Sequence, residues 1–201
     1  GYGRSPWPAD WSVRAVGSAI GEQFAGAGGG TLIGYCSGAI LALLAAQAQP
    51  EAVERLVLAD PFGYVPIYFR LFTWGRLGRF FYRWAFQGAT GPSVVNRALR
   101  RRQRSEADFT AAFGRVKTEV ALAWLVGFAR LGRLEQFADI RAPITLVYGE
   151  RTFRAVRRSV AWMHRLWPQT RVECIPSAGH LWMARQAAAL RRIVFEAPAE
   201  S

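Results

Sequence analysis

The sequence predicts an α/β fold, a mostly parallel sheet with helices on both faces, and three observations predict it. First, four short apolar runs stop at turn signals: "TLIGY" (31–35), "RLVLA" (55–59), "PITLVYGE" (143–150) and "TRVECIP" (170–176). Runs of that length read as buried strands. Second, helical patterns separate consecutive runs, and strands joined by helical crossovers lie parallel. Third, the first run passes through Gly34-Tyr35-Cys36-Ser37-Gly38 directly into "SGAILALLAAQAQ" (37–49), a helix without a charge. Such a helix must be covered on both sides.

Taken in order, "GYGRSPWPADW" (1–11) is loop-like in its Gly and Pro content, and Asp10 is placed to cap a helix running to about residue 26. "GAGGG" (26–30) ends that helix. The strand at 31–35, the uncharged helix and the strand at 55–59 follow, the last closing at Asp60-Pro61. Residues 62–91 then mix aromatics with Arg at roughly helical spacing. Residues 93–109 read as a basic helix or a pair of short ones, and 109–131 as an amphipathic helix. The strand pattern returns at 143–150. A helix over 154–167, the strand at 170–176, the turn "SAGH" (177–180) and a last helix to about 196 complete the chain. The division expected is a core of 1–61 and 141–201 interrupted by a helical insertion, 62–140.

The 201 residues suit one domain with an insertion, and 51% hydrophobic residues suffice for a sizeable core. The formal net charge is +12, and Lys117 is the single lysine among 26 basic residues. A high-GC genome writes such an Arg and Ala bias. The same charge also attracts anionic partners. Two cysteines, Cys36 and Cys174, make no disulfide framework and no zinc spacing. The pair fits a reducing, cytoplasmic setting. No run approaches the ~18 apolar residues of a membrane span.

In an open parallel sheet, reactive groups collect at the carboxyl ends of the strands. Cys36 stands at the first such end, Asp60 at the second, Thr152 beyond the third and His180 beyond the fourth. A strand that turns sharply into a helix strains the turn residue and calls for small neighbours two before and two after. Gly34 and Gly38 select Cys36 for that place; with Ser37 there, bulky Tyr35 would sit two before. The helix N-terminus favours a thiolate, and the Ser37 backbone N–H points where an oxyanion would form. Cys36 thus reads either as a nucleophile or as an inert buried thiol at a tight turn. The other histidine, His164, lies inside a helix in "AWMHRLW" and reads as a packed or surface residue.

These pieces resemble the α/β-hydrolase superfamily. "GYGRSPWP", "LIGYCSGAILALLAA", "RLVLADPFGY", "ITLVYGER" and "IPSAGH" occur in that family's order and cover the chain outside the insertion. The resemblance implies Cys36 as nucleophile, His180 as base and the Ser37 N–H as half of an oxyanion hole. It implies ester or thioester hydrolysis or acyl transfer, and no metal or organic cofactor. Dienelactone hydrolases and polyhydroxyalkanoate synthases of this superfamily use a Gly-x-Cys-x-Gly elbow, the latter through an acyl-thiol intermediate.

Three departures from the family pattern stand out. The family places an Asp just after the seventh strand, where "GERT" has Thr152. Asp60 is an alternative acid position of the fold, and Glu150 is a third choice. The family's first strands, one loop of which supplies the second oxyanion N–H, precede the point where this sequence starts, so either a fragment of a longer chain or a reduced fold is expected. "LWMARQAAAL" after His180 lacks the usual acidic residue. With no triad acid at Thr152, a catalytically silent binding or scaffold protein is the competing expectation.

The insertion has three readings. Its aromatics and interleaved arginines suit an interfacial lid on an anionic membrane surface. They also suit the lining of an acyl-chain pocket, or a cap with its own small core. No helix-turn-helix, zinc-finger or RNA-recognition signature accompanies the basic run "RALRRRQR", so nucleic acid is not the expected partner.

Overall fold

A computed structural model describes residues 11–103, 108–184 and 186–195. The stretch "GYGRSPWP" and Asp10, the expected helix cap, lie outside the described residues. Ser12 caps the first helix, α1 (Val13–Gly26), its Oγ accepting from the Ala15 N–H at 2.9 Å. Strand β1 (Gly30–Tyr35), helix α2 (Gly38–Ala48) and strand β2 (Val53–Ala59) follow. After α3 (Ile67–Arg70), α4 (Gly75–Gln87), α5 (Gly91–Gln103), α6 (Ala111–Gly114) and α7 (Thr118–Arg130) come β3 (Ile144–Gly149), α8 (Arg154–Leu166), β4 (Arg171–Ile175) and α9 (Ala187–Phe195).

The four strands lie in sequence order, β1-β2-β3-β4, and every pair is parallel. Their register brings Tyr35 beside Ala59 and Ala59 beside Val147, so the carboxyl ends line up. The period-2 alternation of β2 divides the interior. Leu56 and Leu58 join a cluster with Leu43 of α2, Leu146 of β3 and Met163 of α8. Val57 and Ala59 turn to the opposite face, against Val147, Ile175, Trp182 and Ile193. Helices therefore cover both faces, as the patterning requires. In α2 seven of the eight residues from Ala39 to Ala46, all but Leu41, are buried. A helix without charges survives because nearly every side chain it carries is out of water.

Close packing explains two glycines. A Cβ built on Gly17 of α1 would stand 2.4 Å from Leu44 Cβ, so α1 crosses α2 at that point only without a side chain. A Cβ on Gly34 would stand 2.6 Å from Ala39 Cα, 2.8 Å from the Gly38 carbonyl and 2.9 Å from Ala42 Cβ. The tight strand–helix turn thus depends on Gly34. Gly38 is different: a Cβ there would meet nothing within 4 Å. The expected need for a small residue on both sides of Cys36 holds on one side only, because the helix axis leaves Gly38 facing open space.

The helical segment between β2 and β3 has a cluster of its own, in which Phe69 and Phe72 pack against Tyr82, Ala85 and Phe86. The helix expected over 109–131 is broken into α6 and α7. Asp108 accounts for the first start: its Oδ1 accepts from the backbone N–H groups of Thr110 (2.8 Å) and Ala111 (3.0 Å) and from Asn96 Nδ2 (2.8 Å). Hydrogen bonds from Asn96 and Thr110 hold its carboxyl down at about 2. Helix α7 reaches back to the main core, where Trp124, Phe128 and Leu131 pack and Trp124 meets Trp11 edge-on at 5.0 Å. Among the described residues no helix is long and apolar enough to cross a membrane.

Candidate active site

Among the described residues, three outside glycine adopt positive φ, and all three stand just past the carboxyl ends of strands: Cys36 (56°), Asp60 (43°) and Ser177 (58°). Such backbone is costly for side-chain-bearing residues and persists where the surroundings hold it in place. Here the sheet ladder does so. It runs one residue beyond the strands, the Cys36 N–H donating to the Ala59 carbonyl (2.9 Å) and the Asp60 N–H to the Val147 carbonyl (2.7 Å). Ser37, the next residue after Cys36, opens α2.

His180 arrives from β4 on the loop 176–181. Two contacts fix that loop. The Ser177 N–H donates to the Glu150 carboxylate at 2.6 Å, and the Arg151 N–H donates to the Ala178 carbonyl at 2.8 Å. Glu150, the third choice for the acid, is thereby occupied with the loop backbone and not with the imidazole. The His180 ring is 6% exposed and lies among aromatics: Tyr35 stacked at 5.4 Å, Phe153 at 4.9 Å and Phe62 edge-on at 5.7 Å. The Tyr35 hydroxyl donates to the His180 backbone carbonyl.

The fully buried Asp60 faces His180 from the neighbouring strand end. Its Oδ2 is 3.4 Å from His180 Nδ1, and its Oδ1 accepts from the Gly149 N–H at 3.1 Å. A buried carboxylate needs such partners. Thr152, the residue at the family's usual acid position, places Oγ1 3.4 Å from the same Nδ1. Cys36 hydrogen-bonds the imidazole as well. Burial works against a charge on His180, but the hydrogen bonds to Asp60 and Cys36 and the negative charge of both outweigh it and raise the imidazole to about 9. Burial, and then the charges of Asp60 and Cys36, push the Tyr35 phenol upward from its ordinary value.

The structure therefore brings Cys36, Asp60 and His180 together, with Gly34 and Ser37 shaping the turn. Gly38 adds no steric requirement. His164 stays apart in the last turn of α8, where its Nδ1 is 2.8 Å from Thr170 Oγ1. Among the described residues no group of His, Cys, Asp or Glu side chains converges as a metal set. Sequence reasoning missed Tyr35, Phe62 and Phe153 as walls of the imidazole and Glu150 as the anchor of its loop. Only the position of Phe62, two residues past Asp60, hinted at such a role.

A ring of this kind at the carboxyl ends of a parallel sheet invites comparison with known proteins. A 63-residue stretch is 40% identical to the lipase LipV of Mycobacterium tuberculosis. The match spans 30% of this chain and about a quarter (24%) of that relative. A thermophilic esterase from Thermogutta terrifontis superimposes with a TM-score of 0.68 at 18% identity, over 98% of this chain and 75% of that one. MenH from S. aureus does so with 0.70 at 14% identity, over 96% and 78%. At such identities the two structures speak for the fold alone. The family model described as "Alpha/beta hydrolase family" matches residues 1–193, a span that holds β1 to β4, and the chain belongs to that family.

Proposed function

We propose that the chain forms the catalytic core of an acyl hydrolase acting on an ester or thioester, with Cys36 as nucleophile, His180 as base and Asp60 as the acid that orients it. One observation carries this reading: the Cys36 thiol and the Asp60 carboxylate both engage the same buried imidazole, whose proton they hold to about 9. A Cys–His pair of this kind persists as thiolate and imidazolium. The sulfur attacks the carbonyl carbon, and negative charge moves to the carbonyl oxygen beside the Ser37 N–H. As the carbonyl re-forms, the bond to the leaving group breaks, and the imidazolium proton goes to the leaving alcohol or thiol. Neutral His180 then takes a proton from water, which attacks the thioester and releases the acid and Cys36. An acceptor alcohol in place of water would make the same intermediate a transferase intermediate.

The 63-residue similarity to a lipase supports an ester substrate. The helical segment 62–140 acts as a cap in this reading. Phe62 lies on His180, and Phe109 meets Phe153 at 6.0 Å, which in turn lies on His180. These rings give the site an apolar wall suited to an acyl group.

The test reads Cys36 directly. With Cys174→Ser leaving one thiol, intact mass should show rapid alkylation of Cys36 at neutral pH and an acyl adduct on Cys36 with an activated p-nitrophenyl ester. His180→Ala should slow alkylation at least about tenfold, and Cys36→Ala should form no adduct. Slow labelling indifferent to His180, with no adduct from any ester, would replace this reading with that of a silent scaffold whose Cys36 is a turn residue.

A further inference from the structure

The core explains the inward face of α4 and leaves its outward face without a purpose. Along Gly75–Gln87 the side chains fall into three rows at helical spacing. Gly78, Tyr82, Ala85 and Phe86 are buried against the cap's own cluster. Leu77, Phe80, Phe81 and Trp84 form a second apolar row at i, i+3, i+4 and i+7, and these four are 57%, 63%, 44% and 43% exposed. Arg76, Arg79 and Arg83 form the third row, also exposed. At 3.6 residues per turn the three rows stand roughly a third of a turn apart.

The apolar row does not end with the helix. The turn at 71–73 lies against α4 where Gly78 has no side chain: a Cβ there would stand 2.4 Å from the Phe72 carbonyl oxygen. Leu71 in that turn and Trp74 just after it are exposed as well (42% and 59%). Soluble chains seldom leave so many large apolar side chains together in water.

Charge narrows the choice of partner. Residues 67–87 hold four arginines and no acidic residue. Arg79 meets Glu119 of α7 at 3.3 Å, but both side chains are more than half exposed, and such pairs are weak. An apolar row of Trp, Phe and Leu beside an arginine row is the arrangement that lies in a bilayer interface. The aromatics reach the boundary of headgroups and acyl chains while the guanidinium groups meet phosphates. We propose that the outward face of α4, with the turn before it, docks this protein on an anionic phospholipid bilayer. The docking is separate from the chemistry at Cys36 and stands or falls without it.

Co-sedimentation with vesicles of phosphatidylcholine, with and without phosphatidylglycerol, tests the proposal on the full chain. Binding to the anionic vesicles is expected, at least about tenfold weaker to phosphatidylcholine alone. Leu77→Asp with Phe80→Asp changes exposed positions only and should abolish binding while the circular dichroism spectrum stays that of the parent. Arg76→Glu with Arg83→Glu should remove the preference for phosphatidylglycerol. Failure to bind either vesicle, or binding untouched by the Leu77 and Phe80 changes, overturns the proposal. So does a dimer that those two changes dissociate, which would make the face a contact between copies. Binding of a single-stranded oligonucleotide in place of vesicles overturns it as well.

Discussion

His180 sits in a conflict that Asp60 and Cys36 resolve. Burial disfavours the imidazolium, and the two anionic partners restore it, to about 9. The sign of the linkage follows. A group raised above its unfolded value near 6.5 stabilises the fold fully below that value and loses the contribution as pH rises through about 9. At roughly 1.4 kcal/mol per unit, the loss is on the order of 3–4 kcal/mol. Urea midpoints of the parent and of His180→Gln should therefore converge between pH 6.5 and 9; a gap constant across that range would contradict the assignment. Turnover has its own signature. In the proposed reaction acylation needs the imidazolium proton for the leaving group, so ester turnover should fall above about pH 9, while alkylation of Cys36 should not. Which residue faces Nδ1 was not legible in the sequence. Asp60, Glu150 and Thr152 all stand past strand ends, and only the crossing of the loop from β4 over β2 and β3 set Asp60 and Thr152 on the ring and turned Glu150 to the Ser177 N–H.

At the scale of an element, the β1–α2 turn was the most legible part of the site. Its signals are local: an apolar run, glycine two before Cys36, and an uncharged helix after it. The two glycines nonetheless differ in what they meet. Gly34→Ala forces a methyl group to within 3 Å of α2 and should cost about 1–3 kcal/mol or more, read as a lower urea midpoint. Gly38→Ala meets open space at the start of a helix and should stay within about 1 kcal/mol of the parent, on the stabilising side. Equal losses at both positions would show that the turn is packed differently. Helix starts were less legible than helix bodies. Asp10 and Ser12 are both good caps, and the choice of Ser12 depends on where α1 must begin to cross α2 at Gly17.

Over the whole molecule, the sheet with α2 and α8 forms one cluster and α3 to α6 hang on another, with α7 touching both. Units with separate cores open separately. Amide exchange should be slowest in β2, β3 and α2 and distinctly faster in α3, α4 and α5; a uniform rate across both would mean that this helical segment and the sheet unfold together. The sequence by itself determined the alternation of strands and helices, the parallel sheet and the cysteine at the sharp turn. All of these follow from hydrophobic period and turn chemistry within a few residues of one another. Only the tertiary structure decided how the strand ends converge on His180 and which carboxylate meets it. It alone also showed that the aromatics of the insertion divide between an inner cluster and the outward row of α4. Those outcomes depend on contacts between residues tens of positions apart, and no local pattern encodes a distance set by the crossing of whole elements.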